Sequence, residues 1–500
     1  MSLIDINQKN YLMRIGGEWR GSSSGQTRPV LNPATAEAFA EVPEGTRAAA
    51  HAALVEAQKA QPAWEALSGV QRAGYLRRIA ALVRENAEDL ARLIVMEQGK
   101  PLFEARNEVG GTGEFFEYFA TFGRGVVGEI MASDNAKEDI WVREVPYGVV
   151  VGIIPWNYPS ALFSRKVAPA LMAGNTIVLK PHEDTPLSAL AMAKIVEAAG
   201  VPAGVVNVVT GAGLEVGDAL VRDDITQLVT MTGSVRAGRQ ILEAAAKNIT
   251  VVSLELGGKA PFIVMDDANV DLAVRNAITA RFMNCGQVCT CNERTYVHRR
   301  VFDQFLSRYK EMAGQLRMGD PMQPGTDLGP KVNQVELEKI ERMVNKAKEQ
   351  GAEVVMGGKR PEGEQFRKGY WYETTILTNV RNDMDIMQQE IFGPISPVMV
   401  FDDFEEAVAL ANDTKYGLTT YLFTNDIKRM MEAVRSVRSG EIYINKIMPE
   451  QLQGFHGGYG LSGLGGDDGK HGLAHYSRKK TVYLSYDDTL PGYLMPYPKE

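Results

Sequence analysis

Short runs of apolar, often β-branched residues alternate with helical stretches between Val149 and Leu254, and this alternation strongly constrains the fold. Strands are predicted at 149–154, 176–179, 205–209, 228–231 and 251–254. Helical spacing of the apolar residues between them predicts helices at 160–173, 187–199, 216–221 and 235–246. Strands that are apolar throughout are buried on both faces, so the pattern predicts a parallel sheet covered by helices on both sides.

A second series of the same kind runs from Phe262 to about Ile444 and predicts a second α/β domain. Two or three domains are expected in any case, because 500 residues exceed what one hydrophobic core supports. Further helices are predicted at 271–282, 301–316 and 332–350, and within 47–124. The segments 138–145 and 480–485 alternate like exposed strands and fit neither series. We expect them to pair with each other or with another subunit.

Charge and composition exclude several classes of function. The net charge is −8 with a pI near 5.6, and the Lys and Arg residues are dispersed, which argues against nucleic-acid and anionic-membrane partners. The N-terminus lacks the apolar stretch of a secretory signal, and the longest apolar run, 145–156, is too short to span a membrane. The cysteines are odd in number and clustered, so they form no disulfide framework. These features favour a cytoplasmic protein.

All 3 cysteines, Cys285, Cys289 and Cys291, lie close together in the chain. Cys289 follows Gly-Gln and precedes Glu-Arg, a setting in which a thiolate nucleophile can be used. Metal ligation is the rival interpretation, but there is no second cysteine pair and the next histidine is His298. A buried, inert cysteine is the third possibility.

Polar residues follow two of the predicted strands at the edge where open α/β sheets bind ligands. Asn157 closes the first strand, and its amide could donate to an oxyanion, although an asparagine in a turn is the ordinary alternative. Lys180 and Glu183 follow the next strand and could hydrogen-bond the diol of a nucleotide ribose. A carboxylate there repels a 2′-phosphate and favours NAD over NADP, unless the two residues are simply a solvated ion pair.

The remaining strand ends carry a glycine turn and a carboxylate. Thr232-Gly233-Ser234 joins a strand to a helix whose backbone N–H groups suit a pyrophosphate. The full G-x-G-x-x-G pattern is missing both there and after Gly211, so this evidence is weak by itself. Glu255 lies between apolar residues, which suits either a general base or a carboxylate that stabilises the fold.

Two further motifs occur at 390–394 (Glu-Ile-Phe-Gly-Pro) and 412–418 (Asn-Asp-x-x-Tyr-Gly-Leu). Together with the motifs above, and in this order along the chain, they resemble the NAD(P)-dependent aldehyde dehydrogenase superfamily from about Asn32 to Tyr483. The earlier motifs are Pro-Trp-Asn, Lys-Pro-x-Glu, Thr-Gly-Ser, Glu-Leu-Gly-Gly-Lys and Gly-Gln-x-Cys. The resemblance implies two doubly wound α/β domains with a small β oligomerisation flap. It implies an NAD-binding domain at 1–128 and 148–257, a catalytic domain at 258–445, and oligomerisation or tunnel-closing segments at 129–147 and 446–500. A homodimer or homotetramer is expected.

The resemblance also implies roles for individual residues. Cys289 is the nucleophile, Glu255 the general base and Asn157 the oxyanion donor. Lys180 is implied to be both a catalytic and a cofactor-binding residue. The implied cofactor is NAD, with no metal, and its contacts are Ile153, Pro155, Trp156, Lys180, His182, Glu183, Gly213, Gly217, Thr232, Gly233, Ser234, Leu256, Glu390 and Phe392. Oxidation passes through a cysteine thioester, and Glu255 favours its hydrolysis, because relatives that transfer the acyl group to coenzyme A generally lack this carboxylate.

The substrate is implied by a closer resemblance to the lactaldehyde and glycolaldehyde dehydrogenase branch, carried by 246–250, 288–291 and 453–473. Tyr158, Arg165, Thr290 and His456 are the predicted substrate residues. Arg165 and His456 in one tunnel suit a small polar aldehyde bearing a hydroxyl, carboxylate or sulfonate. The hypotheses are therefore a hydroxyaldehyde dehydrogenase, a semialdehyde or sulfo-aldehyde dehydrogenase, and a structural protein that reuses the fold.

Overall fold

The computed structural model describes residues 3–125, 128–488 and 495–497. The predicted domain ranges 1–128 and 446–500 also include residues 1–2, 126–127, 489–494 and 498–500, and these parts of the prediction lie outside the described residues.

The N-terminal half contains short strands, a group of helices and then the predicted βα alternation. The strands before the helices are β1 (Met13–Ile15), β2 (Glu18–Arg20), β3 (Thr27–Asn32) and β4 (Glu37–Pro43). The helices are α1 (Arg47–Glu65), α2 (Gly69–Glu85), α3 (Ala87–Gln98) and α4 (Leu102–Ala120). The strands β5 (Glu129–Ala132) and β6 (Glu138–Pro146) follow these helices and precede the alternation. The alternating part consists of β7 (Val149–Ile153), α5 (Pro159–Ala173), β8 (Thr176–Lys180), α6 (Leu187–Ala198), β9 (Val206–Val208), α7 (Asp218–Arg222), β10 (Leu228–Thr232), α8 (Val235–Ala245) and β11 (Val251–Glu255).

The C-terminal half continues the alternation and ends in a long exposed strand. Its first elements are β12 (Ala260–Val264), α9 (Val270–Phe282), β13 (Asn292–His298), α10 (Phe302–Ala313), α11 (Gln334–Glu349), β14 (Glu353–Met356), β15 (Thr375–Thr378) and α12 (Asp385–Gln388). They are followed by β16 (Ile395–Phe401), α13 (Phe404–Asn412), β17 (Thr419–Phe423), α14 (Ile427–Ser436), β18 (Glu441–Ile444), β19 (Gly463–Leu464), α15 (Gly469–Ala474) and β20 (Ser477–Ser485).

Two large sheets confirm the predicted pair of α/β domains. The first has the order β19-β11-β10-β7-β8-β9-β1-β2, and the second has the order β14-β15-β16-β13-β12-β17-β18. The central strands of both sheets are parallel, whereas β1, β2, β14 and β19 are added antiparallel at the edges. Every residue of β8, β10 and β12 is buried, which explains why apolar residues predominate on both faces of these strands.

A third, small sheet has the order β20-β6-β5. The strand β20 pairs antiparallel with β6 over its whole length, from Ser477 opposite Pro146 to Ser485 opposite Glu138. The prediction that the two alternating segments pair with each other is confirmed. Large apolar side chains remain exposed on this sheet, including Ile130 (77%) and Tyr483 (69%).

Candidate active site

The parallel strands β11, β10, β7 and β8 are neighbours, so their carboxyl ends meet at one edge of the first sheet. Thr232 lies opposite Glu255 in the register, and Ile153 lies opposite Lys180. The predicted strand-end residues therefore share one edge. Pro155, Trp156 and Asn157 follow directly after β7 at the same edge.

The loop that carries Cys289 has an unusual backbone. After α9 the chain makes a tight turn in which Asn284 (φ 50°), Cys285 (φ 55°) and Gly286 (φ 70°) are all left-handed. Left-handed non-glycine residues are strained and concentrate at functional sites. The turn leaves the Cys289 side chain half-buried, whereas Cys285 and Cys291 are fully buried.

Two consecutive glycines allow this loop to approach the first sheet. A Cβ at Gly258 would lie 2.5 Å from the Cys289 carbonyl oxygen, and a Cβ at Gly257 would lie 2.5 Å from Oε1 of Glu390. The Gly258 N–H also donates to Oε1 of Glu390 at 2.8 Å. Any side chain at either position would separate Cys289 and Glu390 from the end of β11.

Cys289, Glu255 and His456 form a compact cluster, which we name the Cys–Glu–His triangle. One ligand-type atom of each residue lies within 4.8 Å of the others. His456 Nε2 is 3.4 Å from Glu255 Oε1, and His456 Nδ1 is 3.1 Å from Oε1 of Glu441. Glu255 and His456 are buried, and Oε2 of Glu255 has no hydrogen-bond partner among the described residues.

Charges and burial set the protonation states in the triangle. Burial raises the pKa of the Cys289 thiol to about 12, and the Glu255 carboxylate adds to this effect. Burial lowers the pKa of His456, but hydrogen bonds to Cys289, Glu255 and Glu441 raise it well above its ordinary value. The raised pKa favours the protonated imidazole, whose two ring nitrogens face Glu255 and Glu441.

Asn157 is buried next to the cysteine loop. Its Nδ2 donates to the Gln287 carbonyl oxygen at 3.0 Å, which uses one of its two amide hydrogens. Its backbone carbonyl oxygen accepts from Lys100 Nζ at 2.8 Å and from Asn284 Nδ2 at 3.0 Å. These bonds fix the position of Asn157 relative to the loop and leave one amide hydrogen for another acceptor.

The other end of the sheet edge has the features of a nucleotide cradle. Lys180 Nζ lies 3.6 Å from Oε2 of Glu183, and Oε1 of Glu183 accepts from the Gly213 N–H at 2.5 Å. Gly217 lies beside the Lys180 stem, because a Cβ there would be 3.5 Å from Lys180 Cδ. His182 is partly exposed, with Nε2 3.7 Å from Oε2 of Glu183. These contacts place Lys180 beside Glu183 at this end of the sheet edge.

A dinucleotide fits the groups between this cradle and the triangle. The Thr232 hydroxyl is buried and has no hydrogen-bond partner in the described part of the chain. Gly233 donates to the Glu255 carbonyl oxygen at 3.0 Å, and Ser234 caps the N-terminus of α8, an end that attracts phosphate. Leu256 is held by its N–H, which donates to the Ser462 carbonyl oxygen at 2.9 Å.

Aromatic and acidic residues border the region between Glu390 and the triangle. The Phe392 ring packs edge-on against Trp156 with 5.3 Å between ring centroids. Burial raises the pKa of Glu390 to about 7. Ile153 and Pro155 are half-buried at the same edge.

Arg165, one of the predicted substrate residues, is paired with carboxylates of the protein itself. Its Nη2 donates to Oε1 of Glu450 at 2.5 Å and to Oδ2 of Asp468 at 2.9 Å, and the whole residue is buried. The guanidinium charge is therefore already compensated within the protein. Two other predicted substrate residues contact neighbouring side chains. Lys100 Nζ lies 3.6 Å from the centroid of the Tyr158 ring, and the Thr290 hydroxyl lies 3.5 Å from Met448 Sδ.

Sequence reasoning missed a buried charge cluster centred on Glu293. Its carboxylate accepts from Lys259 Nζ at 2.8 Å, from Arg281 Nη1 at 3.0 Å and from the Ile391 N–H at 2.7 Å. It also missed Glu441, Glu450 and Asp468, the carboxylates around His456 and Arg165. The run of polar residues Asn-Glu-Arg-Thr directly after Cys291 was the available signal for Glu293.

Comparison with known proteins places the chain in a family. The two α/β domains, with the cysteine loop against the carboxyl edge of the first sheet, define an α/β protein with a ligand site at that edge. The chain belongs to the aldehyde dehydrogenase family, which it matches over residues 19–482. It is an oxidoreductase that acts on small aldehydes with NAD(P), and the alternative of a structural protein is excluded. No helix among the described residues is both long and apolar enough to cross a membrane.

Its similarity to individual relatives extends over nearly the full length. It is 47% identical to the 3,6-anhydro-alpha-L-galactose dehydrogenase of Vibrio sp. (strain EJY3), over 96% of this chain and 100% of that one. It is 46% identical to the lactaldehyde dehydrogenase of Escherichia coli (strain K12), over 93% of this chain and 96% of that one. The chain also resembles a solved structure of 3,6-anhydro-L-galactose dehydrogenase in complex with NAP, which denotes NADP. The two structures superpose with a TM-score of 0.94 at 48% sequence identity, over 95% of this chain and 100% of that one.

Proposed function

We propose that the protein oxidises a small, neutral hydroxyaldehyde, such as lactaldehyde or glycolaldehyde, to the carboxylate with NAD. The observation that carries the proposal is the pairing of Arg165 with Glu450 and Asp468. A semialdehyde or sulfo-aldehyde needs an uncompensated cation for its anionic end, and Arg165 is not one. The names of the two relatives, a lactaldehyde and an anhydro-sugar dehydrogenase, both denote uncharged hydroxylated aldehydes and support the same class.

The roles of the reacting residues follow from their positions. Cys289 Sγ releases its proton to solvent and attacks the aldehyde carbon as the thiolate, and the developing oxyanion accepts from the free Asn157 amide hydrogen and the Cys289 N–H. The bound dinucleotide supplies the hydride acceptor. Glu255 then takes a proton from the water that attacks the thioester carbon, and Cys289 leaves as the carboxylate product forms. Tyr158, Thr290 and His456 lie on the aldehyde side, and Arg165 positions Glu450 and Asp468 there.

The cofactor is held by the sheet edge in this proposal. Lys180 and Glu183, with His182 nearby, bind the adenosine ribose, and Gly213 and Gly217 leave room for it. Thr232, Gly233 and Ser234 face the pyrophosphate. The nicotinamide end is bordered by Ile153, Pro155, Trp156, Leu256, Glu390 and Phe392.

Replacing Glu450 with Gln tests the substrate class. Burial opposes ionisation of Glu450, but Arg165 and His456 lower its pKa to about 2, whereas burial raises the pKa of Asp468 to about 7. Glu450 is therefore the main counter-ion of Arg165. Its removal should raise kcat/KM for succinate semialdehyde relative to lactaldehyde by about tenfold, equal to about 1.4 kcal/mol.

The measurement is kcat/KM of purified wild type and variants on lactaldehyde, glycolaldehyde, glyceraldehyde and succinate semialdehyde. Glu362→Gln is the matched control, because it removes one fully exposed negative charge remote in sequence from this site. A wild-type enzyme that prefers succinate semialdehyde would refute the proposed class, and an unchanged ratio in Glu450→Gln would refute the role of Glu450.

Replacing Glu183 with Ser tests the preference for NAD. The carboxylate should repel a 2′-phosphate at the ribose, so its loss should raise kcat/KM for NADP relative to NAD by about tenfold or more. Glu215→Ser, which removes a nearby exposed carboxylate paired with Arg47, is the control. Equal use of NAD and NADP by the wild type would overturn the assignment. Both cofactors are measured because the solved relative holds NADP.

The domain ranges stay as proposed, with NAD-binding parts at 1–128 and 148–257, a catalytic part at 258–445, and assembly or tunnel-closing parts at 129–147 and 446–500. Exposed Ile130 and Tyr483 on the small sheet support its use in a homodimer or homotetramer. Light scattering of the purified protein tests the assembly, and a monomer would contradict it.

A cytoplasmic location is proposed from the sequence and is tested by cell fractionation.

A further inference from the structure

We propose that the Cys–Glu–His triangle also binds one Zn²⁺ ion, which reversibly blocks the enzyme. The blocking effect rests on the proposed roles of Cys289 and Glu255, whereas binding of the metal does not. Thiolate, imidazole and carboxylate are the ligand types that Zn²⁺ takes in proteins. A zinc-blocked state differs from a resident metal cofactor, which the sequence did not favour.

The spacing of the ligand atoms suits a tetrahedral ion. Bonds of about 2.0–2.3 Å place neighbouring ligand atoms about 3.3–3.7 Å apart in a tetrahedral zinc site. His456 Nε2 and Glu255 Oε1 are 3.4 Å apart, and all ligand atoms of the triangle lie within 4.8 Å of one another. The nitrogen and oxygen are already at the required distance, and the half-buried Cys289 side chain needs only a small shift.

Two independent features of the surroundings favour a bound cation. Oε2 of Glu255 is buried and has no hydrogen-bond partner among the residues described, so a second carboxylate oxygen is free to turn toward the ion. His456 Nδ1 bonds Oε1 of Glu441 at 3.1 Å, which is the outer-shell carboxylate that zinc-ligating histidines usually have. That bond also fixes the ring so that Nε2 points into the triangle.

The chemistry of binding is balanced without any redox step. As the zinc–sulfur and zinc–nitrogen bonds form, Cys289 Sγ and His456 Nε2 each release one proton to solvent, and no electron is transferred. The bound ion occupies the nucleophile and the general base together. Removal of the ion by a chelator and reprotonation of both groups restores the original site.

The test begins with full-length protein stripped by EDTA and dialysed against ZnCl₂, with bound zinc measured by mass spectrometry. Wild type should retain about one zinc per chain, and zinc should slow iodoacetamide alkylation of Cys289 by about tenfold or more. Cys289→Ala and His456→Ala should each lose this zinc. Glu441→Gln should weaken its binding about 10–100-fold. Thermal melting of each variant confirms that it is folded.

Two variants serve as controls because they remove the same residue types elsewhere. Cys291→Ser alters a fully buried thiol, and His51→Asn alters an exposed histidine paired with Asp223. Both should keep the zinc. Zinc retained by the Cys289→Ala and His456→Ala variants, or absent from wild type, would overturn the proposal. If aldehyde oxidation is present but zinc is not bound, only this proposal fails; if zinc is bound but aldehyde is not oxidised, only the proposed function fails.

Discussion

Replacing Glu255 with Gln should leave one round of oxidation per active site and stop the reaction there. The first half of the reaction uses Cys289 and Asn157, which the substitution does not touch. Hydrolysis of the thioester needs a base beside Cys289, and Glu255, within the Cys–Glu–His triangle, is placed to be that base. Since general-base catalysis contributes about 10²–10⁴-fold, steady-state turnover should fall by about that factor.

The measurement is rapid-mixing absorbance of NADH with lactaldehyde as the probe substrate. Glu255→Gln should show a burst of about one NADH per chain followed by an almost flat phase, and intact-protein mass spectrometry should find the acyl group on Cys289. Gln keeps the size of Glu and can still accept from His456 Nε2, so the triangle should stay assembled. Cys289→Ala is the control and should give no burst. Undiminished steady-state turnover in Glu255→Gln would remove Glu255 from the mechanism.

The sequence predicts the central sheets well because local pattern is sufficient there. Strands such as β8 and β10 are mostly apolar, are buried at every residue and are bounded by helices, so their limits are predicted to within one or two residues. The start of a helix depends on its capping residue, which hydrophobic periodicity does not show. The helix α11 begins at Gln334 and not at 332, because extended Asn333 caps it by accepting from the Glu336 N–H.

The elements that the sequence did not predict are short and depend on distant partners. The strand β1 has three residues and pairs with β9 through Arg14 opposite Val208. The two-residue strand β19 pairs with the end of β11, opposite Leu254 and Glu255. No local periodicity marks segments of this length, so only the folded sheet reveals them.

The same distinction applies to the site. The strand-end residues Lys180, Thr232 and Glu255 could be placed from sequence because parallel strands bring their carboxyl ends to one edge. The partners of Arg165 could not, since Glu450 and Asp468 are 285 and 303 positions away along the chain. Their pairing gives the Arg165 guanidinium counter-ions within the protein, which bears against the alternative of a semialdehyde or sulfo-aldehyde substrate.

Replacing Glu293 with Ala should be among the most destabilising substitutions in the protein. The Glu293 side chain is 1% exposed and faces Lys259 and Arg281, whose side chains are fully buried. Burial opposes its ionisation, but the two cations hold the pKa of Glu293 well below its usual range. Removing one member of a buried charge cluster leaves the others uncompensated and costs about 3–5 kcal/mol of unfolding free energy.

The substitution should also disturb the active site, because the Glu293 cluster connects the cysteine loop to the segment that holds Glu390. Its carboxylate accepts from the N–H groups of Ile391 and Phe392, and Arg281 donates to the Gly286 carbonyl oxygen in the cysteine loop. We expect the urea midpoint of Glu293→Ala to fall and KM for NAD to rise in protein that is still folded. The control Glu362→Ala removes an exposed carboxylate paired with Lys359 and should change neither quantity, because exposed pairs contribute little. An unchanged urea midpoint in Glu293→Ala would show that the charge cluster does not stabilise the fold. Glu293 would then not be the residue that holds the cysteine loop against the Glu390 segment.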